Sequence, residues 1–218
     1  MILAFETAAY RGASLALLEG DTCLRQIAFD TPRTLTSALV PAVQGLLAEA
    51  RITPAALRLL AIDCGPGSFT GMRIGVAVVN GLADAWGIPT CGIAQFDLWP
   101  QPAGQDLAQL LMIDAQASHG AHYQLTLPDG TRERGFTRYA ALPEVLHAAG
   151  DITGMIYSDR PLDVCDTLGW RVVVVPPPAT AAQVGRVAMA AMAAGVRGAV
   201  APLYLHATQY TRTPAPAC

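Results

Sequence analysis

Residues 63–75, Asp63-Cys64-Gly65-Pro66-Gly67-Ser68-Phe69-Thr70-Gly71-Met72-Arg73-Ile74-Gly75, join an apolar strand pattern to an apolar helix pattern through four glycines and a proline. Leu59 to Ile62 reads as a buried strand, and Ile74, Val78, Leu82 and Ala85 recur at helical spacing. The joint is therefore strand, loop, helix. Glycine suits a backbone that must take positive φ or approach another group closely, and the first helical turn presents unpaired N–H groups with a partial positive charge. Such a loop can hold a phosphate or a partner's backbone. A P-loop is excluded by its own chemistry, since that motif needs a lysine after its last glycine and all 14 basic residues here are arginine.

A chain of 218 residues with 52% hydrophobic content can build one large or two small domains around a sizeable core. Charged residues make up only 14% and the net charge is −3. That sparse charge fits either an apolar face covered by a partner or an alanine- and arginine-rich composition that reflects codon usage. No basic run and no alternation of aromatic and basic residues supports autonomous nucleic-acid binding. Ile2 to Phe5 is a strand-like run followed at once by Glu6, so no cleavable leader is expected and the expected location is cytoplasmic. The longest apolar region, Val184 to Leu203, contains Arg186 and Arg197 and reads as a core or interface helix followed by a strand, not as a membrane span. Cys23, Cys64, Cys91, Cys165 and Cys218 are odd in number and lack a C-x-x-C pair, which points to free buried thiols.

The first half reads as strands Ile2–Phe5, Ala13–Leu18 and Thr22–Phe29, a helix from Thr34 to Ala50 carrying Leu35, Leu39, Val43, Leu46 and Leu47, a strand ending at Asp63, a helix to Trp86, and a strand Thr90–Ala94. After Pro100, Pro102 and Gly104 the plan restarts with strands Leu110–Ile113, Ala121–Leu127 and Arg132–Phe136. A helix Ala141–Ala149, a strand Met155–Ser158, a short helix near Val164–Leu168, a strand Arg171–Val175, the Pro176-Pro177-Pro178 break and a helix Thr180–Ala194 complete it. The repeat reaches single residues: Glu6 and Asp114 end the first strands, and Gly12 and Gly120 each follow six residues later. This duplicated meander with crossover helices is the α/β plan of the actin/sugar-kinase/Hsp70 (ASKHA) superfamily, with two ribonuclease-H-like lobes, residues 1–99 and 105–218, the C-terminal segment packing back on the first. In that superfamily the cleft holds ATP, but fold analogy does not establish nucleotide binding here.

The run Gly65-Pro66-Gly67-Ser68-Phe69-Thr70-Gly71-Met72-Arg73-Ile74-Gly75 resembles the hallmark GPGSFTGLRIG of the bacterial TsaB (YeaZ) family, the inactive glycoprotease-like paralogues of TsaD. The opening Met-Ile-Leu-Ala-Phe-Glu-Thr resembles that family's M-x-L-A-I-D-T, with Glu6 where aspartate is usual. Ile113-Asp114-Ala115 resembles its I-D-A, and Pro202-Leu203-Tyr204-Leu205 its P-x-Y-L-R, with His206 in place of the arginine. The likeness spans most of the chain and is loose in the second half. It implies a non-catalytic scaffold for tRNA threonylcarbamoyladenosine biosynthesis, paired with the catalytic paralogue TsaD and the ATPase TsaE, touching tRNA only through the complex and using ATP and magnesium only at that level. The paralogue carries two metal-binding histidines on a first-lobe helix, and the helix Thr34–Ala50 here has none.

The resemblance also points to the helices Thr34–Ala50 and Gly71–Trp86 as the partner surface. Gly71, Gly75, Ala77 and Gly81 would allow close helix approach, and Leu39, Val43, Leu46, Ile74 and Val78 would supply apolar contacts. The same residues can instead pack inside their own lobe. Without the paralogue, the surface can close a two-fold homodimer. Glu6, with Thr7, and Asp114 would flank a cleft as paired carboxylates for magnesium or acid–base chemistry, unless each caps its own turn. His119 and His122 fall at a hairpin tip and on the following strand, poorly placed for one metal, and His147 and His206 are isolated. The rival functions are an ASKHA-fold phosphotransferase or ATPase using Glu6 and Asp114, and a metallopeptidase, suggested by the family's former grouping with glycoproteases.

Overall fold

The computed structural model describes residues 1–10, 12–29, 34–99, 107–115, 119–148, 154–158, 162, 170–174, 180–193 and 198–205. Within them the chain runs β1 (Ile2–Glu6), β2 (Ala13–Glu19), β3 (Thr22–Phe29), α1 (Leu35–Glu49), β4 (Leu59–Asp63), α2 (Phe69–Trp86) and β5 (Thr90–Ile93). It continues as β6 (Ala108–Asp114), β7 (Gly120–Thr126), β8 (Arg132–Arg138), α3 (Leu142–Ala148), β9 (Gly154–Ser158), β10 (Trp170–Val174) and α4 (Ala181–Ala193). Short 3-10 turns occur at Pro54–Ala56, Gln95–Leu98 and Tyr139–Ala141. The expected short helix near Val164–Leu168, the proline break, Cys165, His206 and Cys218 lie outside the described residues.

Two five-stranded mixed sheets form, with orders β3-β2-β1-β4-β5 and β10-β9-β6-β7-β8. Numbered within its own half, each sheet reads 3-2-1-4-5, so the repeat seen in the sequence is a repeat of topology. In the first sheet β1 pairs antiparallel with β2 and parallel with β4, in register Phe5 with Ile62. Side chains alternate across that sheet. Leu3, Phe5, Leu15, Leu17, Leu60 and Ile62 enter the layer shared with α1 and α2, while Ile2, Ala4, Ala16, Leu18, Leu59 and Ala61 enter the layer covered by α4. Both faces being covered, every residue of β1 and β4 is buried. A Cβ on Gly185 would press into Leu18, which is how α4 comes so close to the sheet.

The second sheet packs Leu110, Met112 and Tyr123 with Leu142 and Leu146 of α3 on one face. Leu111 and Ile113 meet Phe96 and Trp99, from the end of the first half, on the other. The ion pair Arg134–Asp97 at 3.1 Å joins the halves at their edge.

Two expectations change. Residues 198–205 contain no strand: the segment is a strap that meets β5 at its first residue, with Gly198 N–H on Thr90 O at 3.2 Å, and the glycine loop, with Leu203 N–H on Cys64 O at 2.8 Å. The aligned glycines also differ in role. Gly12 takes φ +81° ahead of β2, whereas Gly120 lies inside β7, where any Cβ would strike the Thr137 carbonyl.

Candidate functional site

The glycine loop leaves β4 at Asp63 and enters α2 at Phe69, crossing the ends of β1 and β5. Three strands set its position. Cys64 N–H bonds Ile93 O at 2.8 Å, Gln95 N–H bonds Gly65 O at 2.8 Å, and Ser68 N–H bonds Ala8 O at 2.6 Å. Gly65 takes φ +94° and its peptide bond to Pro66 is cis. Ser68 caps α2, its hydroxyl accepting from Gly71 N–H at 3.2 Å. The loop thus closes on the Thr7–Ala8 turn of its own chain. A Cβ would collide with Ala8 O at Gly67, with Thr7 O at Gly71 and with Thr7 Oγ1 at Gly75. Two N–H groups at this helix start go to Ala8 and Ser68, and Thr70 and Arg73 are exposed beside Phe69, over whose ring the Arg73 guanidinium sits at 5.1 Å. Tyr204 of the strap stacks obliquely on the same ring at 5.4 Å.

At the base of the loop are two carboxyls. Glu6 ends β1 and Asp63 ends β4, one step beyond the Phe5–Ile62 pair, so their side chains leave the same side of neighbouring parallel strands. Glu6 Oε1 accepts from Ala9 N–H at 2.7 Å and Asp63 Oδ1 from Gly65 N–H at 2.7 Å. Burial pushes Glu6 up to about 7, against the relief given by the Ala9 and Ala8 amides. Burial and then the Glu6 charge drive Asp63 well above the ordinary carboxylate range. Backbone N–H groups occupy one oxygen of each, and a magnesium or calcium ion asks for about six oxygen ligands, so this sealed pair does not fit a cation. No group of three or more metal-ligating side chains occurs among the described residues.

Asp114 does not share this junction. It ends β6 in the other sheet and accepts a hydrogen bond from the Tyr139 hydroxyl. His119 sits at the hairpin with φ +48°, and His122, on β7, is buried edge-on to Phe136. The candidate interface residues divide sharply. Leu39, Val43 and Leu46 have no accessible surface and belong to the core beneath α1, and Gly71 and Gly75 face Thr7. These five have nothing to offer a partner in this fold. Ile74 and Val78 keep partial exposure, Ala77 and Gly81 are exposed, and Val40 of α1 is 38% exposed.

An open cleft of about 420 Å³ lies between the strap and the second sheet, lined by Cys64, Cys91, Asp97, Arg134, Val200 and Leu203 among others. Burial, with the nearby Asp63, pushes the Cys64 thiol up to about 12. The strap is fixed above it by Asn80, which donates to Val200 O at 2.9 Å and accepts from Val200 N–H at 3.3 Å.

The family model described as TsaD, tRNA N6-adenosine threonylcarbamoyltransferase, matches residues 30–200. The chain is 31% identical over 151 residues to the tRNA threonylcarbamoyladenosine biosynthesis protein TsaB of Escherichia coli, covering 67% of this chain and 64% of that one. The chain belongs to the TsaD family, in its TsaB (YeaZ) branch. An uncharacterized protein of Mycobacterium tuberculosis is 34% identical over 103 residues, 47% of each chain, so this TsaB-branch chain matches only about half the length of that relative. A Pseudomonas aeruginosa protein described as similar to peptidase YeaZ shares the fold, with TM-score 0.66 at 24% identity over 94% of this chain and 99% of that one.

Sequence reasoning passed over Asp63, Ala8, Asn80 and Tyr139. For Asp63 a signal was available: β1 and β4 each end in a carboxylate, and adjacent parallel strands bring such ends side by side. Nothing local marks Ala8 or Asn80, whose roles are contacts with distant backbone.

Proposed function

We propose that this TsaB-branch chain is a non-catalytic partner subunit in the formation of threonylcarbamoyladenosine in tRNA, binding a TsaD-like catalytic paralogue with TsaE as the associated ATPase. What carries this reading is the use made of the hallmark loop. Gly67, Gly71 and Gly75 pack against Thr7 and Ala8, Ser68 N–H bonds Ala8 O and Gly71 N–H bonds the Ser68 hydroxyl, which ties the start of α2 to the β1–β2 turn of the same chain. The outer face of α2 exposes the small residues Ala77 and Gly81 between the charged Arg73 and Asp84, with Ile74 and Val78 partly exposed at its side, which suits close helix packing with polar contacts around it. Family membership and the name of the Escherichia coli relative give the reaction. The two sheets of like topology are then the two lobes of an ASKHA-type fold, and the same outer face closes a homodimer when the paralogue is absent. The role sets the protein in the cytoplasm with tRNA reached through the complex; no helix among the described residues is long and apolar enough to cross a membrane.

Val78→Arg puts a charge beside this face without touching the loop and is expected to abolish pairing with the paralogue while the protein stays folded by circular dichroism, with some loss of midpoint because Val78 also packs on the core. Undiminished pairing would move the interface elsewhere. Sustained ATP hydrolysis by the pure protein, lost in Asp114→Asn, would instead favour the enzyme reading.

A further inference from the structure

We infer that Glu6 and Asp63 are both kept protonated inside the closed junction of β1, β4 and the glycine loop, and that loss of the Glu6 proton loosens the loop from the Thr7–Ala8 turn. The two side chains are 1% and 0% exposed, and Asp63 Oδ2 is buried without a hydrogen-bond partner. Among the described residues the recorded ion pair is Arg134–Asp97, so no cation there balances either carboxyl. Two full negative charges in that space would be desolvated and uncompensated, which buried carboxyls avoid by staying protonated. The surrounding groups sharpen the point. From the 3-10 turn Asp97 adds negative charge toward Asp63, and Cys64 and Cys91 on the β4 and β5 side are thiols with raised values, hence neutral. Ser14 of β2, opposite Glu6, is uncharged and accepts from Ala181 N–H of α4 at 2.8 Å, and Gly71 and Gly75 of α2 pack on the adjoining Thr7.

Both carboxyls anchor the segments that close on each other. Glu6 holds Ala9 N–H, Asp63 holds Gly65 N–H, and between those anchors Ala8 O receives Ser68 N–H. A charge on the sealed pair is relieved by separating the two segments and admitting water, so the Ala8–Ser68 bond reports the proton. Burial places the first loss near pH 7 through Glu6.

The test is a carbon-13 titration of the Glu6 carboxyl in the full-length protein, with amide exchange of Ser68 compared at each pH with Glu6→Gln. The expected result is a Glu6 carboxyl titrating near neutrality and a Ser68 protection factor falling about tenfold per pH unit above it, while Glu6→Gln shows no such fall. A Glu6 carboxyl titrating in the ordinary glutamate range overturns the proposal. So does Ser68 protection that is flat with pH in the unaltered protein. Protection restored at high pH by magnesium, in the unaltered protein alone, would replace the proton with a cation. Should Glu6→Gln fail to fold, the carboxyl titration of the unaltered protein decides by itself.

Discussion

Gly71 and Gly81 lie ten residues apart in one helix, and the structure gives their substitution opposite signs. A methyl at Gly71 meets the Thr7 carbonyl, so Gly71→Ala should destabilise by about 3 kcal/mol or more, the upper range for overpacking. At Gly81 nothing lies within 4 Å, and Gly81→Ala should stabilise by about 0.5–1 kcal/mol through helix propensity. Denaturant midpoints of the two variants check both. The sequence named these glycines alike as a stripe, because composition shows small residues without showing which side of the helix each faces. Glu6 was likewise legible as a carboxylate ending its strand, equivalent by the repeat to Asp114 at the end of β6, and it caps its own turn through Ala9 N–H; the repeat equates positions in sequence and says nothing of the contact partner. The neighbour of Glu6 is Asp63, and the pH consequence has a definite sign. Between about 4.5 and about 7 the folded state binds a proton at Glu6 that the unfolded chain has released, so stability falls as pH rises through that window. The loss is on the order of 3 kcal/mol, and Glu6→Gln should reduce the dependence of the thermal midpoint on pH, leaving the part of the same sign that buried Asp63 contributes.

Strands and helices were readable wherever burial on one or both faces imposed a period. Thus β1, β4 and the stripe Leu35, Leu39, Val43, Leu46 and Leu47 emerged close to their final bounds, and the α1 pattern persists across Pro41, whose exposed position costs an outer backbone bond and no core contact. The stretch after α4 defeated the same reasoning. An apolar run reads as a strand, yet residues 198–205 form none: they meet the sheet edge at Thr90 of β5 and otherwise bond the Asn80 amide and the Cys64 carbonyl. Asn80→Ala leaves both polar groups of Val200 without their partner and should destabilise by about 1–3 kcal/mol. It should also raise the labelling rate of Cys64, whose thiol lies beside Val200 across Gly92. A labelling rate equal to that of the unaltered protein would show that the strap does not shield Cys64.

Across the whole molecule the halves repeat one topology, yet they exchange cover. Helix α4, late in the chain, shields the face of the first sheet that bears Ile2, Ala4, Leu59 and Ala61, while Phe96 and Trp99 of the first half shield the second sheet. A fragment ending at residue 99 exposes that first face and is expected to aggregate or remain unfolded, as read by circular dichroism and sedimentation. The exchange leaves the outer faces of α1 and α2 uncovered among the described residues, with Val40, Ala77 and Gly81 exposed for the proposed role. Light scattering on size-separated mixtures of this protein with its catalytic paralogue tests that role most directly. The account predicts a single species with the mass of one copy of each, reduced to separate components by Val78→Arg. Two separate, unaltered peaks from the unmodified proteins, with or without nucleotide and the ATPase, would contradict it.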